Sequence, residues 1–282
     1  MSKIALVTDS SQYLPQNLID EYNIHVIPLT VIWGEETYAD GVDITTKEFY
    51  TRLANTDVMP STSQPTIPLF KELFQNLHDE GYDILAVLIS EELSGTISSA
   101  TQAQKLIPEA NIEIINSETI SMPLGFQVLA AARAIQKGAS LEECKQIVEK
   151  VKEQTGVIFV VDTLEFLHRG GRIGGAKHLL GTVLQMKPIL TIKDGKVDTL
   201  DQVRTQKKAL AKLIAVIEER TQGHSKVHLA TLHANDYETA ASVLGQIKER
   251  VPSVETVYSE VSPVVGTHVG PGTVGLAYWV EK

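Results

Sequence analysis

The chain has 282 residues, 43% of them hydrophobic and 21% charged, which is enough to bury one large core or two ordinary ones and excludes a disordered or collagen-like chain. Lys+Arg 25 against Asp+Glu 35 leaves a net charge of −10 at pH 7, a balance that repels a phosphate backbone and argues against nucleic acid as a partner. The single cysteine, Cys144, has no intramolecular disulfide partner, Met1-Ser2-Lys3 and its short apolar run do not read as a secretory leader, and apolar runs such as residues 84–89 fall far short of the ~20 residues that cross a bilayer. These features predict a soluble, cytoplasmic protein with at most transient membrane contact.

Short Val- and Ile-rich runs alternate with longer amphipathic stretches through the first half, which predicts an α/β fold with strands buried between helices. Strands are expected at residues 3–7, 24–32, 83–89 and 112–115. Thr45 with Glu48, ahead of the pattern Phe49 to Leu53, and Ser140 with Glu143, ahead of residues 141–152, carry the capping-box spacing that opens helices. A helix over 69–79 is closed by Gly81, and another over 98–105 follows Ser94-Gly95-Thr96.

Past about residue 155 the texture changes. A strand at 157–161 leads into a glycine-rich stretch, and Asp194-Gly195 between residues 189–192 and 196–200 predicts a tight hairpin. A helix over 206–220, a strand over 226–232, a helix over 237–250, a strand over 255–259 and an apolar segment over 273–280 complete the chain. Two α/β domains, 1–155 and 156–282, are expected. With no low-complexity linker between them they share a broad interface, a favoured place for a ligand pocket.

Small hydroxyl residues gather where an α/β sheet places its ligand, just past the carboxyl ends of strands. Thr8-Asp9-Ser10-Ser11 follows the first strand, and Ser90 to Thr96 follows the third and runs into a helix whose first N–H groups, near Gly95 and Thr96, suit an anion. Pro60-Ser61-Thr62-Ser63-Gln64-Pro65 reads as a stiff loop fixed by its two prolines. Turn and cap chemistry accounts for any one of these segments alone. In the second half, Arg169-Gly170-Gly171-Arg172-Ile173-Gly174-Gly175 joins a flexible backbone to two guanidinium groups suited to a phosphate or carboxylate. Those glycines would equally serve close helix packing. Residues 266–273 place His268 in a glycine-bracketed loop that lets backbone approach a ligand.

A serine esterase needs a nucleophile, a base and an orienter, and Ser94, His268 and Asp9 supply the residue types. The nucleophile elbow, however, wants glycine two positions before the serine, where Glu92 stands. A phosphate-binding regulator built on Arg169 and Arg172 is a second alternative. No P-loop, no dinucleotide fingerprint and no metal-ligand spacing is present in the sequence.

Taken in order, Val7-Thr8-Asp9-Ser10-Ser11, Thr62-Ser63-Gln64-Pro65, Leu93-Ser94-Gly95-Thr96, Arg169-Gly170-Gly171-Arg172-Ile173, Val203-Arg204-Thr205 and Thr267-His268-Val269-Gly270-Pro271-Gly272 resemble the DegV family. These are bacterial fatty-acid-binding proteins, some of which are the acyl-binding subunit of fatty acid kinase. The resemblance covers about residues 3–280. It implies two α/β domains enclosing one long-chain fatty acid, such as palmitate, with no cofactor, no metal and no catalytic residue. The carboxylate is then held by Thr62 and Ser94, with Gly95, Thr96 and His268 beside it and Asp9, Ser10 and Ser117 in support. Arg172 and Arg204 match basic positions associated with a phosphate or with an ATP-dependent kinase partner. The chain departs from the family pattern at Ile97-Ser98-Ser99, where many relatives carry an aromatic and a glutamine, and at Asn116-Ser117-Glu118, where many carry an Asp-Ser pair.

Overall fold

The computed structural model describes residues 3–181 and 186–282; Met1 and Ser2, which entered the leader reading, lie outside the described residues. The first half runs β1 (Lys3–Asp9), α1 (Gln16–Glu21), β2 (His25–Ile27), β3 (Thr30–Trp33), β4 (Glu36–Ala39), α2 (Thr46–Leu53), β5 (Ser61–Ser63), α3 (Ile67–Asp79), β6 (Tyr82–Leu88), α4 (Thr96–Gln104), β7 (Ile112–Asn116), α5 (Met122–Gln136) and α6 (Leu141–Lys152). The second runs β8 (Thr155–Val160), α7 (Glu165–Arg169), a 3-10 turn (Gly174–Leu179), β9 (Lys187–Lys193), β10 (Lys196–Val203), α8 (Gln206–Thr221), β11 (Val227–His233), α9 (Tyr237–Lys248), β12 (Glu255–Glu260), α10 (Pro263–Val269) and β13 (Val274–Val280).

Three sheets form among the described residues. One is all parallel in the order β2-β1-β6-β7, one is mixed in the order β10-β9-β8-β13-β11-β12, and a small antiparallel one has the order β4-β3-β5. Both capping boxes form, at Thr45 with Glu48 and at Ser140 with Glu143. The strand expected over 24–32 is two strands. Pro28, which has no N–H to donate, separates β2 in the parallel sheet from β3 in the small one. The segment expected as a stiff loop between Pro60 and Pro65 is partly paired, because Ser61, Thr62 and Ser63 register against Ile32, Val31 and Thr30 on the edge of β3. His268 is likewise not in a loop. It occupies the last turn of α10, which starts with Pro263 in its first turn and stops at Gly270, whose φ of 75° a helix cannot continue. Helix α5 is buried on 12 of its 15 residues, so it lacks the one-sided apolar stripe by which a surface helix announces itself.

The period-two alternation of the strands sorts side chains into layers. Leu85 and Val87 of β6 and Val157 and Phe159 of β8 point into one shared core together with α5. Their neighbours point outward. Ile84, Ala86 and Leu88 pack with α3 and α4, and Ile158 and Val160 with α8 and α9. The two large sheets therefore face each other across the central layer.

Asp40, just past β4, ties that layer together. It accepts from Ser10 Oγ at 2.7 Å and from the backbone N–H of Val264 in α10 at 3.1 Å. Burial outweighs these bonds and raises its carboxyl from 3.8 to about 6. A carboxyl whose pKa is raised in the folded state contributes stability that is full below about pH 4 and is lost as the pH climbs through about 6. The gap is worth on the order of 3 kcal/mol. In urea unfolding between pH 4 and 6.5, the stability of the wild type relative to Asp40→Asn should fall with rising pH. Parallel curves would show that Asp40 does not titrate as its surroundings demand.

Candidate functional site

A channel runs through the central layer between the facing sheets. Leu29, Ile89, Leu93 and Ile120 line it from the first half, Val157, Phe159 and Leu232 from the second sheet, and Val264, Val265 and Val269 of α10 close a side. It spans about 890 Å³ of space between side chains, counted out to its open end. Apolar side chains make up most of the lining.

Its polar lining includes Thr62, Ser63, Gln64, Ser94, Arg172 and His268, and Tyr13, Ser121 and Thr273 also belong to the wall. Thr62 is carried by the short strand β5 and Ser94 by the turn between β6 and α4. Gln64 is exposed and Thr62 and Ser94 are half-buried, so this cluster forms the mouth. Thr62 Oγ1 lies 2.7 Å from His268 Nε2, joining residues 206 positions apart. Ser94 Oγ lies 2.8 Å from Thr96 Oγ1. Helix α4 begins here at Gly95 with no side-chain cap, which leaves its first N–H groups and the positive end of its dipole without a capping oxygen.

The other ring nitrogen, His268 Nδ1, is buried without a hydrogen-bond partner. It faces Gly170, where a Cβ would stand 2.1 Å from it; only glycine lets α7 come this close to α10. Placing the proton on Nε2 leaves Nδ1 as a bare acceptor and avoids a buried, unpaired N–H. The imidazole then donates to Thr62 Oγ1, and the threonine hydroxyl keeps its own proton for a ligand. Burial, with the Arg172 guanidinium nearby, lowers the His268 pKa from 6.5 to about 4, so the ring is neutral at pH 7. Arg172 is itself fixed, its Nε donating to Leu93 O at 3.0 Å and its Nη1 to Gly170 O at 2.7 Å. A guanidinium, two hydroxyls and an uncapped helix start thus gather at one end of an apolar channel. Such an end suits a single carboxylate.

Not every expected site residue lines this channel. Thr62, Ser94, His268 and Arg172 do. Gly95 and Thr96 stand behind Ser94 in the first turn of α4. Asp9 is fully buried at the end of β1, where it accepts from the Ile89 and Ser11 N–H groups. Ser10 is bonded to Asp40 and Leu29, and Ser117 to Thr119. These three hold the loops beside the channel rather than its surface. Arg204 is exposed in the turn between β10 and α8, away from the lining. Gln64 and Gly170 take places that sequence reasoning did not assign. The signal for Gly170 lay in the glycine pair between Arg169 and Arg172, which close helix packing requires.

The family model described as the DegV family matches residues 3–281. A DegV domain-containing protein of Halalkalibacterium halodurans is 35% identical over 283 residues, covering 100% of both chains. Among solved structures, a DegV family protein from Thermus thermophilus, described for its fatty acid binding, superposes with a TM-score of 0.94 at 33% identity over 100% of both chains. DegV of Bacillus subtilis, described as a fatty acid binding protein, gives 0.92 at 32% identity, again over 100% of both. The mixed α/β fold is that of these proteins.

His268 provides a spectroscopic check on the mouth. A histidine kept neutral by its surroundings favours the folded state above about pH 6.5, and that contribution is lost as the pH falls through about 4. In an NMR titration its ring signals should move with a midpoint near 4, and Arg172→Gln should raise that midpoint by removing the nearby positive charge. A midpoint of 6.5 in the wild type would mean that the ring is not packed against Gly170 as described.

Proposed function

The chain belongs to the DegV family, and on that premise we propose that it binds one long-chain fatty acid between two α/β domains, residues 1–155 and 156–282, in the cytoplasm. The tail lies along the channel, the carboxylate meets Thr62 and Ser94, and the protein presents that carboxylate to an ATP-using kinase subunit for phosphorylation. The observation that carries the reading is an apolar channel with its hydroxyls, guanidinium and uncapped helix start gathered at the mouth. For the kinase step, the support is that the mouth includes the exposed Gln64 and that Arg204 lies exposed elsewhere on the second half. No helix among the described residues is long and apolar enough to cross a membrane.

Tail and head have separate tasks. Burying roughly 15 methylenes at ~0.8 kcal/mol each is worth about 12 kcal/mol gross, against an estimated 4–15 kcal/mol for lost freedom of motion, on the order of the gain itself. The tail drives entry. A carboxylate left without donors in the channel would cost several kcal/mol more, so the hydroxyls at the mouth separate an acid from an alcohol or an ester.

An esterase is the weaker reading. Ser94 Oγ is turned to Thr96, His268 Nε2 to Thr62 and Nδ1 to Gly170, while Asp9 is bonded at Ile89 and Ser11. No base is set against the serine and no carboxylate orients the base. A phosphate site on the paired arginines is also disfavoured, since exposed Arg169 pairs with Glu165 and leaves Arg172 as the one arginine of the pair in the channel lining.

Native mass spectrometry of gently purified protein, and of protein incubated with palmitate or oleate, should show one acyl chain per polypeptide. Thr62→Ala and Ser94→Ala should each weaken binding by on the order of 1–3 kcal/mol, and a fluorophosphonate probe should leave Ser94 unlabelled. A chain that never acquires an acyl mass, or a labelled Ser94, would defeat this assignment.

A further inference from the structure

Ser121 is a polar residue on the channel wall that the head-group cluster does not use. It is 6% exposed, lines the channel, and its Oγ is buried without a hydrogen-bond partner. It is also the residue that opens α5, where a serine ordinarily turns its oxygen onto the N–H groups of the first turn. Here no such bond is made. The backbone at φ 66° and ψ −151° holds Ser121 in a region that side chains other than glycine rarely enter, and its N–H is bonded to Ser11 O at 2.8 Å. The hydroxyl is thus released from capping, in a residue that shares the channel wall with Ile89 and Ile120.

We propose that Ser121 is a specificity-determining residue: its hydroxyl pairs with an oxygen borne on the acyl chain, so the channel favours a hydroxylated long-chain acid over the plain acid of the same length. The inference rests on the fatty-acid reading above. A methylene lying against Ser121 leaves a desolvated hydroxyl unpaired, whereas a chain hydroxyl offers it both a donor and an acceptor. Sites built to hydrogen-bond a hydroxyl discriminate against the analogue lacking it far better than apolar pockets sort chains by size. The carboxylate at the mouth fixes the register, so only a hydroxyl at one stretch of the chain reaches Ser121.

The test is competitive displacement of a fluorescent fatty acid by stearate and by a set of hydroxystearates in which the hydroxyl moves along the chain. With wild-type protein, the hydroxystearate whose hydroxyl meets Ser121 should bind about threefold to tenfold tighter relative to stearate than the others. Ser121→Ala should abolish that advantage and bind stearate more tightly than the wild type does. Ser121→Gly, whose backbone suits a positive φ, gives the same readout should the alanine variant fail to fold. Relative affinities unchanged by either substitution, or an equal shift for every ligand as a water held by Ser121 would give, overturn the proposal while leaving fatty-acid binding in place. Failure of stearate and all its hydroxylated forms to bind overturns both.

Discussion

The contact between Thr62 and the neutral ring of His268 is the constraint on which the channel mouth depends. It joins a three-residue strand at the edge of the small sheet to the last turn of a short helix in the second half. Neither element has much stability of its own, since a seven-residue helix is marginal in isolation and β5 is paired on one side only. Each is held by neighbours. Asp40 bonds the start of α10 at Val264, Tyr13 bonds Ser262 just before it, and Gly170 lets α7 pack against its end. The mouth therefore exists only where the two halves meet, and neither half alone can assemble it.

That dependence explains what was legible in the sequence and what was not. Elements inside the large sheets follow from local pattern: the apolar run of β6, the two capping boxes and the Asp194-Gly195 hairpin carry their own signals and form as expected. The failures lie in segments whose structure is imposed from outside. Ser61–Ser63 becomes a strand because the edge of β3 is available to it, and the stretch around His268 becomes helical because it is docked against α2 and α7. Helix α5 was missed for the opposite reason, since burial on nearly all sides erases amphipathic period. Thr62, Ser94 and His268 stand in ordered motifs spread along the chain and line the channel; that Arg172 joins them there, whereas Asp9 and Ser117 do not, depends on side-chain direction, which no motif encodes.

Arg172 shows how burial and charge are divided at the mouth. Its guanidinium bonds two backbone carbonyls, and no carboxylate partner is among those bonds. Its positive charge therefore remains available in the channel, and it depresses the pKa of the neighbouring imidazole. One cation suffices for one anion. A second, protonated histidine would add favourable Coulomb energy with a bound carboxylate, but it would also have to be desolvated beside Arg172 when the channel is empty.

A neutral His268 also affects how firmly an acid head group is held. A hydroxyl that meets a carboxylate makes a charge-assisted bond, because the acceptor is ionised, so a neutral imidazole behind Thr62 leaves Arg172 as the cation that lines the channel beside the hydroxyls. In the proposed complex the tail supplies the gain from burial, and the donors at the mouth select against molecules that lack an acid. Because the hydroxyls of Thr62 and Ser94 rotate without moving backbone, they can follow a head group through a change of geometry or charge that a rigid ion pair would resist. The division between an apolar body and a mouth with one guanidinium and rotatable hydroxyls thus suits an amphiphile with a single anionic end.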